Sequence, residues 1–128
     1  MIIFQKFIYR EDLKNNQGVT YLFGDNDVRR GRGGQAKEMR GESNALGIRV
    51  KKAPQTDKKA YYTDKEYQKN IKKIDEDLQN VELVLERDGV VIIPTDGMGT
   101  GLARLKEFAP KTLVYLQKRL IEFIEEYN

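Results

Sequence analysis

Cysteine, histidine and tryptophan are absent from the 128-residue chain, and proline occurs only three times. The lack of cysteine excludes a disulfide framework, a thiol nucleophile and a zinc ribbon. The lack of histidine removes imidazole acid/base catalysis and most transition-metal sites. No cofactor and no metal site are therefore expected, and any chemistry must use carboxylates, amides, hydroxyls, lysine, arginine or the backbone. Long apolar runs are missing too: no segment approaches the roughly 18 apolar residues that span a bilayer, and residues 1–10 lack a basic-then-apolar signal pattern. A soluble cytoplasmic protein is the expectation.

Of what is present, 39% of residues are hydrophobic and 34% charged. A chain of this length suits one domain spanning residues 1–128, able to bury roughly two thirds of its unfolded surface. Residues 2–7 pattern as a short strand and residues 9–16 as a brief helix stopped by Asn-Asn-Gln-Gly. Residues 19–23 (VTYLF), between Gly18 and Gly24, read as a buried strand, and residues 45–50 as another. A short helix is expected over residues 35–39, and residues 51–62 read as a polar surface loop.

The clearest helix opens at Thr63, where Glu66 three residues on predicts a capping box. Its apolar stripe runs Tyr67, Ile71, Ile74, Leu78, Val81 and Leu85, the spacing of one buried helical face. Residues 90–93 (VVII) suit a strand covered on both sides. A last helix starts near Pro110 and presents Leu113, Leu116, Leu120, Phe123 or Ile124, and Tyr127. Strands alternating with helices predict an α/β fold, a three-layer α/β/α sandwich with a mixed sheet.

The formal net charge of +3 hides a strong asymmetry. Residues 29–52 hold eight basic residues (Arg29, Arg30, Arg32, Lys37, Arg40, Arg49, Lys51, Lys52) against Glu38 and Glu42, whereas residues 63–88 hold five basic and eight acidic residues. The basic stretch points to an anionic partner, either phosphate on a small molecule or a nucleic-acid backbone.

Two segments share one design, an apolar strand running into a glycine-rich loop followed by a helix. The first loop carries Gly31, Gly33 and Gly34 before Gln35; the second carries Gly97, Gly99 and Gly101. Such loops at the carboxyl ends of strands let backbone amides approach phosphate closely. Neither loop matches the phosphate-loop or dinucleotide fingerprints.

The residues themselves carry a resemblance. Phe23-Gly24-Asp25-Asn26, then Gly31-Arg32-Gly33-Gly34-Gln35-Ala36-Lys37-Glu38-Met39-Arg40-Gly41, and later Ile93-Pro94-Thr95-Asp96-Gly97-Met98-Gly99-Thr100-Gly101 together resemble the macrodomain family. The likeness is nearest to small phage and bacterial macrodomain-like proteins and covers roughly residues 17–126. It implies a crevice that binds ADP-ribose or a related NAD-derived nucleotide, sequestering a nucleotide signal in an anti-defence setting or hydrolysing an ADP-ribosyl conjugate. Binding without turnover is the expectation.

By position, the resemblance implies that Asn26 contacts the distal ribose and orients a water. It implies that Gly24, Gly31, Gly33, Gly34 and Gln35 line one side of the ligand, and that Thr95, Asp96, Gly97, Met98, Gly99, Thr100 and Gly101 wrap the diphosphate. Asp25 and Asp96 are carboxylates that a hydrolase would use as general base, against a plain role in capping their own turns. Asp12 is the one positional candidate for recognising adenine. The departures are a short chain, Gly-Asp-Asn where better-known members have Asn-Ala-Ala-Asn, and a crowd of arginines in the first loop.

A second reading is a nucleic-acid-binding or protein-interaction module that uses the basic stretch with Tyr61 and Tyr62 as exposed stacking platforms. Those two tyrosines equally suit anchoring their loop on the core. The apolar stripe from Tyr67 to Leu85 would also suit a dimer seam, but a single helix packed on a sheet is the expectation.

Overall fold

A computed structural model describes residues 1–96, 98 and 103–128. Four strands, β1 (Ile2–Gln5), β2 (Val19–Asn26), β3 (Ala45–Lys51) and β4 (Val90–Pro94), form one sheet in the order β1-β4-β2-β3. Every pairing is parallel. The sheet is thus wholly parallel among the described residues and not mixed, because each strand is reached through a helical crossover and no hairpin joins two strands.

The helices are α1 (Arg10–Asn15), α2 (Ala36–Met39), α3 (Tyr67–Glu86), α4 (Leu105–Phe108) and α5 (Pro110–Tyr127), with short 3₁₀ turns at Lys58–Ala60 and Asp64–Glu66. They cover both faces. Alternate residues of the strands send Leu22, Ile48, Val50, Val91 and Ile93 to meet Ile74, Leu78, Val81 and Leu85 of α3 and Leu116 and Phe123 of α5. On the other face Tyr21, Phe23 and Ile92 meet Leu13 of α1 and Ala36 and Met39 of α2. β4 is therefore buried on both sides, as its VVII run requires.

The sides follow from chirality. From β1 to β2 to β3 the chain steps in one direction across the sheet, and α1 and α2 lie on one face. From β3 to β4 it steps back, and a right-handed crossover then puts α3 on the other face. The neighbouring carboxyl ends of β2 and β4 consequently release their chains toward opposite faces.

Helix starts differ from expectation. Thr63 and Glu66 make no capping box: Glu66 bonds Lys52, its pKa drawn below the usual carboxylate value by that hydrogen bond and charge, and a 3₁₀ turn precedes α3. Asn70 closes this corner by donating to the Thr63 carbonyl (2.9 Å) and to Thr112 Oγ1 (3.1 Å). Asp64 caps α5 from across the corner, accepting from the Lys111 and Thr112 amides at 2.9 and 3.0 Å and from the Thr112 hydroxyl at 2.9 Å. Pro110 has no amide to satisfy there, and Phe123 rather than Ile124 is the fully buried residue of α5.

Of the expected surface loop at residues 51–62, residues 54–59 are exposed, while its ends are tied into the body by a bridge between Lys51 and Tyr61. Tyr61 and Tyr62 are not exposed: they are 3% and 0% accessible. Tyr61 stacks on Phe108 with ring centroids 4.7 Å apart, and Tyr62 donates its hydroxyl to Asp27 Oδ1 at 2.5 Å. Burial, then that hydrogen bond, push the Tyr62 pKa far above the ordinary value. The same causes, burial and a bond to Asp75, raise Tyr115 to about 12.

Two outcomes follow for stability. Asp64→Ala removes the α5 cap and lowers stability by about 1–2 kcal/mol, read as a drop in the urea midpoint with an unchanged slope. Both tyrosines are neutral when folded and have raised pKa values, so their contribution is whole below about pH 10 and is lost as pH rises past it. Tyrosinate absorbance from these two should therefore appear together with loss of circular dichroism between about pH 10 and 12; ionisation of all seven tyrosines near pH 10 in a still-folded chain would contradict this.

Candidate functional site

At the carboxyl ends of β2 and β3, an open crevice of about 160 Å³ is lined by Gly24, Asp25, Asn26, Arg30, Gly31, Arg32, Gly33, Ala36, Arg40, Val50, Lys51, Pro54 and Ala103. It adjoins the point where the chains leaving β2 and β4 diverge, the usual ligand position in a parallel sheet.

Asp25 organises this end of the sheet. Its carboxylate is 5% exposed and is gripped by two guanidinium groups: Arg40 Nη2 donates to Oδ1 at 2.5 Å, and Arg29 Nη1 to Oδ2 at 3.2 Å. The Asn26 amide also donates to Oδ1 at 2.8 Å. Gly47 of β3 lies against it, where a Cβ would stand 2.7 Å from Oδ2, so only glycine admits the carboxylate.

From Asp25 the network spreads in two directions. Arg29 Nη2 donates to Asp77 Oδ1 of α3 at 2.6 Å, while Asp77 Oδ2 accepts from the Arg49 amide at 2.7 Å and from Arg49 Nε at 3.1 Å. Asp77 thus satisfies an amide on the open edge of β3. Burial works against the Arg49 charge, but the bonds to Asp77 and Glu76 prevail and hold its pKa above the ordinary value. On the other side Arg40 Nε donates to the Gly31 carbonyl at 2.6 Å and fixes the first loop. Gly31 has φ +102° and packs against Pro54, two reasons for glycine at this position.

The expected ligand residues divide accordingly. Gly24, Asp25, Asn26, Gly31 and Gly33 line the crevice. Asn26, 7% exposed, spends its side chain on its own loop, accepting from the Val28 amide at 3.0 Å and donating to the Arg30 carbonyl at 2.6 Å. Gly34, with φ +56°, and Gln35 lie outside the lining, and Gln35 Oε1 is buried without a hydrogen-bond partner. Thr95 and Asp96 sit in an exposed turn, with the Thr95 amide bonded to the Gln5 carbonyl. Met98 buries its side chain in the core, and its carbonyl lies where a Cβ on Gly24 would stand. Gly97, Gly99, Thr100 and Gly101 lie outside the described residues. Asp12 is not in the crevice; it accepts from the Tyr9 amide and Gln5 Nε2 at the start of α1.

The lining residues that the sequence did not single out as ligand residues are Arg30, Arg32, Ala36, Arg40, Val50, Lys51, Pro54 and Ala103. Lys51 was visible only as one charge in a basic stretch, yet it stands opposite Asn26 across a bulge in the β2–β3 register. Much of that stretch is neutralised internally: Arg29 and Arg40 by Asp25, Arg49 by Asp77 and Glu76, and Lys52 by Glu66. Arg30, Arg32 and Lys51 line the crevice with no carboxylate partner among the described residues.

Asp25 carries the consequence. Asp25→Asn leaves two guanidinium groups facing a neutral amide and is expected to cost about 3 kcal/mol, because one partner of a buried charge cluster is lost. A thermal midpoint within a degree of the wild type would show that the cluster holds nothing together.

Comparison with known proteins adds one match. No curated protein and no solved structure matches the chain. Residues 3–119 match a family of unknown function (DUF7831), and the chain belongs to that family.

Proposed function

We propose that the crevice binds ADP-ribose or a related NAD-derived phosphorylated nucleotide. The observation that carries this reading is the union of a glycine-rich strand terminus with three cations, Arg30, Arg32 and Lys51, that lack carboxylate partners among the described residues. Phosphates need close backbone approach and positive charge, and Gly31 and Gly33 beside these side chains offer both. The macrodomain-like sequence of the two loops supports the same ligand class.

Binding without turnover is favoured. Asp25 has both oxygens engaged by guanidinium groups, and Asn26 is occupied in its own turn, so neither is poised to activate water. A binding module of this kind would act by sequestering a nucleotide signal. The nucleic-acid alternative loses its stacking platform, since Tyr61 and Tyr62 are buried, and half of its basic stretch, since four of the eight cations are paired.

Titration calorimetry with ADP-ribose, NAD, AMP and cyclic nucleotides tests the reading. Saturable binding of at least one, weakened about tenfold or more by Arg30→Ala with Arg32→Ala, is the expected outcome. Silence toward all of them at millimolar concentration, with salt-dependent shifting of DNA or RNA, would replace it by the nucleic-acid alternative.

A further inference from the structure

Lys51 is the outlier among the cations near the crevice. It is 6% exposed, yet among the described residues its ammonium makes a single hydrogen bond, 3.5 Å long, to the Pro54 carbonyl, and otherwise lies 4.8 Å over the Tyr61 ring. An ammonium has three donors, and burying it with one weak acceptor is unfavourable unless an anion completes the shell. Its sequence neighbours show the contrast: Lys52 bonds Glu66, and Arg49 bonds Asp77 and Glu76. Lys51 lines the crevice instead, on the same wall as Pro54 and with Arg30 and Arg32 lining it too.

The nearest acid offers no relief. Asp25, on the neighbouring strand, is held by Arg29 and Arg40, so the crevice keeps its positive surplus. Three cations around one opening match a group carrying two negative charges better than a singly charged diester. A phosphate monoester is such a group, dianionic above a second pKa of about 6.

We propose that Lys51, with Arg30 and Arg32, seats a terminal phosphate monoester of the ligand. The inference rests on the crevice being a phosphate-ligand site, and among NAD-derived nucleotides it selects those with a terminal monoester, such as AMP, over ADP-ribose and NAD, whose phosphates lie in a diphosphate bridge. The buried ammonium supplies a point charge at the floor, and the two exposed guanidinium groups close over the phosphate from the rim.

Calorimetry with inorganic phosphate, ribose 5-phosphate and ribose, on the wild type and on Lys51→Met and Lys51→Arg, tests it. Ribose 5-phosphate and phosphate should bind and ribose should not. Lys51→Met should weaken both by at least tenfold, Lys51→Arg should restore most of the affinity, and wild-type affinity should fall as pH drops below about 6. Equal affinity in Lys51→Met and wild type, or no phosphate binding by the wild type, overturns the proposal. Should Lys51→Met fail to fold, Arg30→Ala with Arg32→Ala, on exposed side chains, must show the same loss; unchanged affinity there overturns it equally. AMP binding that is indifferent to Lys51 would sink this inference and leave the nucleotide reading standing. Lys51-dependent binding of ribose 5-phosphate with no binding of AMP, ADP-ribose or NAD would do the reverse.

Discussion

A single buried carboxylate, Asp25, sets the geometry of the crevice. A charge at that depth survives only if its lone pairs are satisfied, and it draws in Arg40 from beyond α2, Arg29 from the loop after β2, and the Asn26 amide. Each of these brings something with it. Arg40 carries the Gly31 carbonyl, and Arg29 carries the Gly47 carbonyl and Asp77 of α3. The loop, the edge strand and a helix on the opposite face are therefore fixed relative to one another by one acid.

The charge asymmetry along the chain finds its explanation in this network. Acidic residues of α3 are the counter-ions of the basic segment before it: Asp77 and Glu76 for Arg49, Asp77 again for Arg29, and Glu66 at the start of the helix for Lys52. What looks in the sequence like one basic and one acidic block is, in three dimensions, largely a set of paired charges across the β3 edge. Among the described residues the cations of this stretch left after pairing are Arg30, Arg32, Lys37 and Lys51, and all but Lys37 line the crevice. Net charge could not reveal that remainder, because pairing depends on which side chains the crossover brings within reach.

Elements with a strong period were legible in the sequence: the stripe of α3 buries Ile74, Leu78, Val81 and Leu85, and the VVII run is the strand β4, covered on both faces. What escaped was set by tertiary competition. Glu66 has the spacing of a capping box but finds Lys52 instead, and the α5 cap comes from Asp64, remote in sequence and invisible to any local rule. Tyr61 and Tyr62 sit in a polar segment whose composition implies exposure, but the bridge from Lys51 to Tyr61 folds them inward. The glycine loop was correctly placed at a strand end, with Gly31 and Gly33 in the crevice. The wall formed by Lys51 and Pro54 was not foreseen, because it depends on the register between β2 and β3.

The loop after β2 also holds strain, and the Asp25 network explains why it persists. Arg29 has φ +57°, a left-handed conformation that costs a non-glycine residue about 1–2 kcal/mol. Its guanidinium reaches Asp25, Asp77 and the Gly47 carbonyl at once, and these charge-assisted bonds together outweigh that cost. The turn at Arg29 sends the chain back so that Arg30, Gly31 and Arg32 face the opening. Arg29 thus serves as the internal counter-ion, and Arg30 and Arg32 have no carboxylate partner among the described residues. Residues of one chemical type divide between scaffold and site, and the division follows from which of them can reach a buried acid.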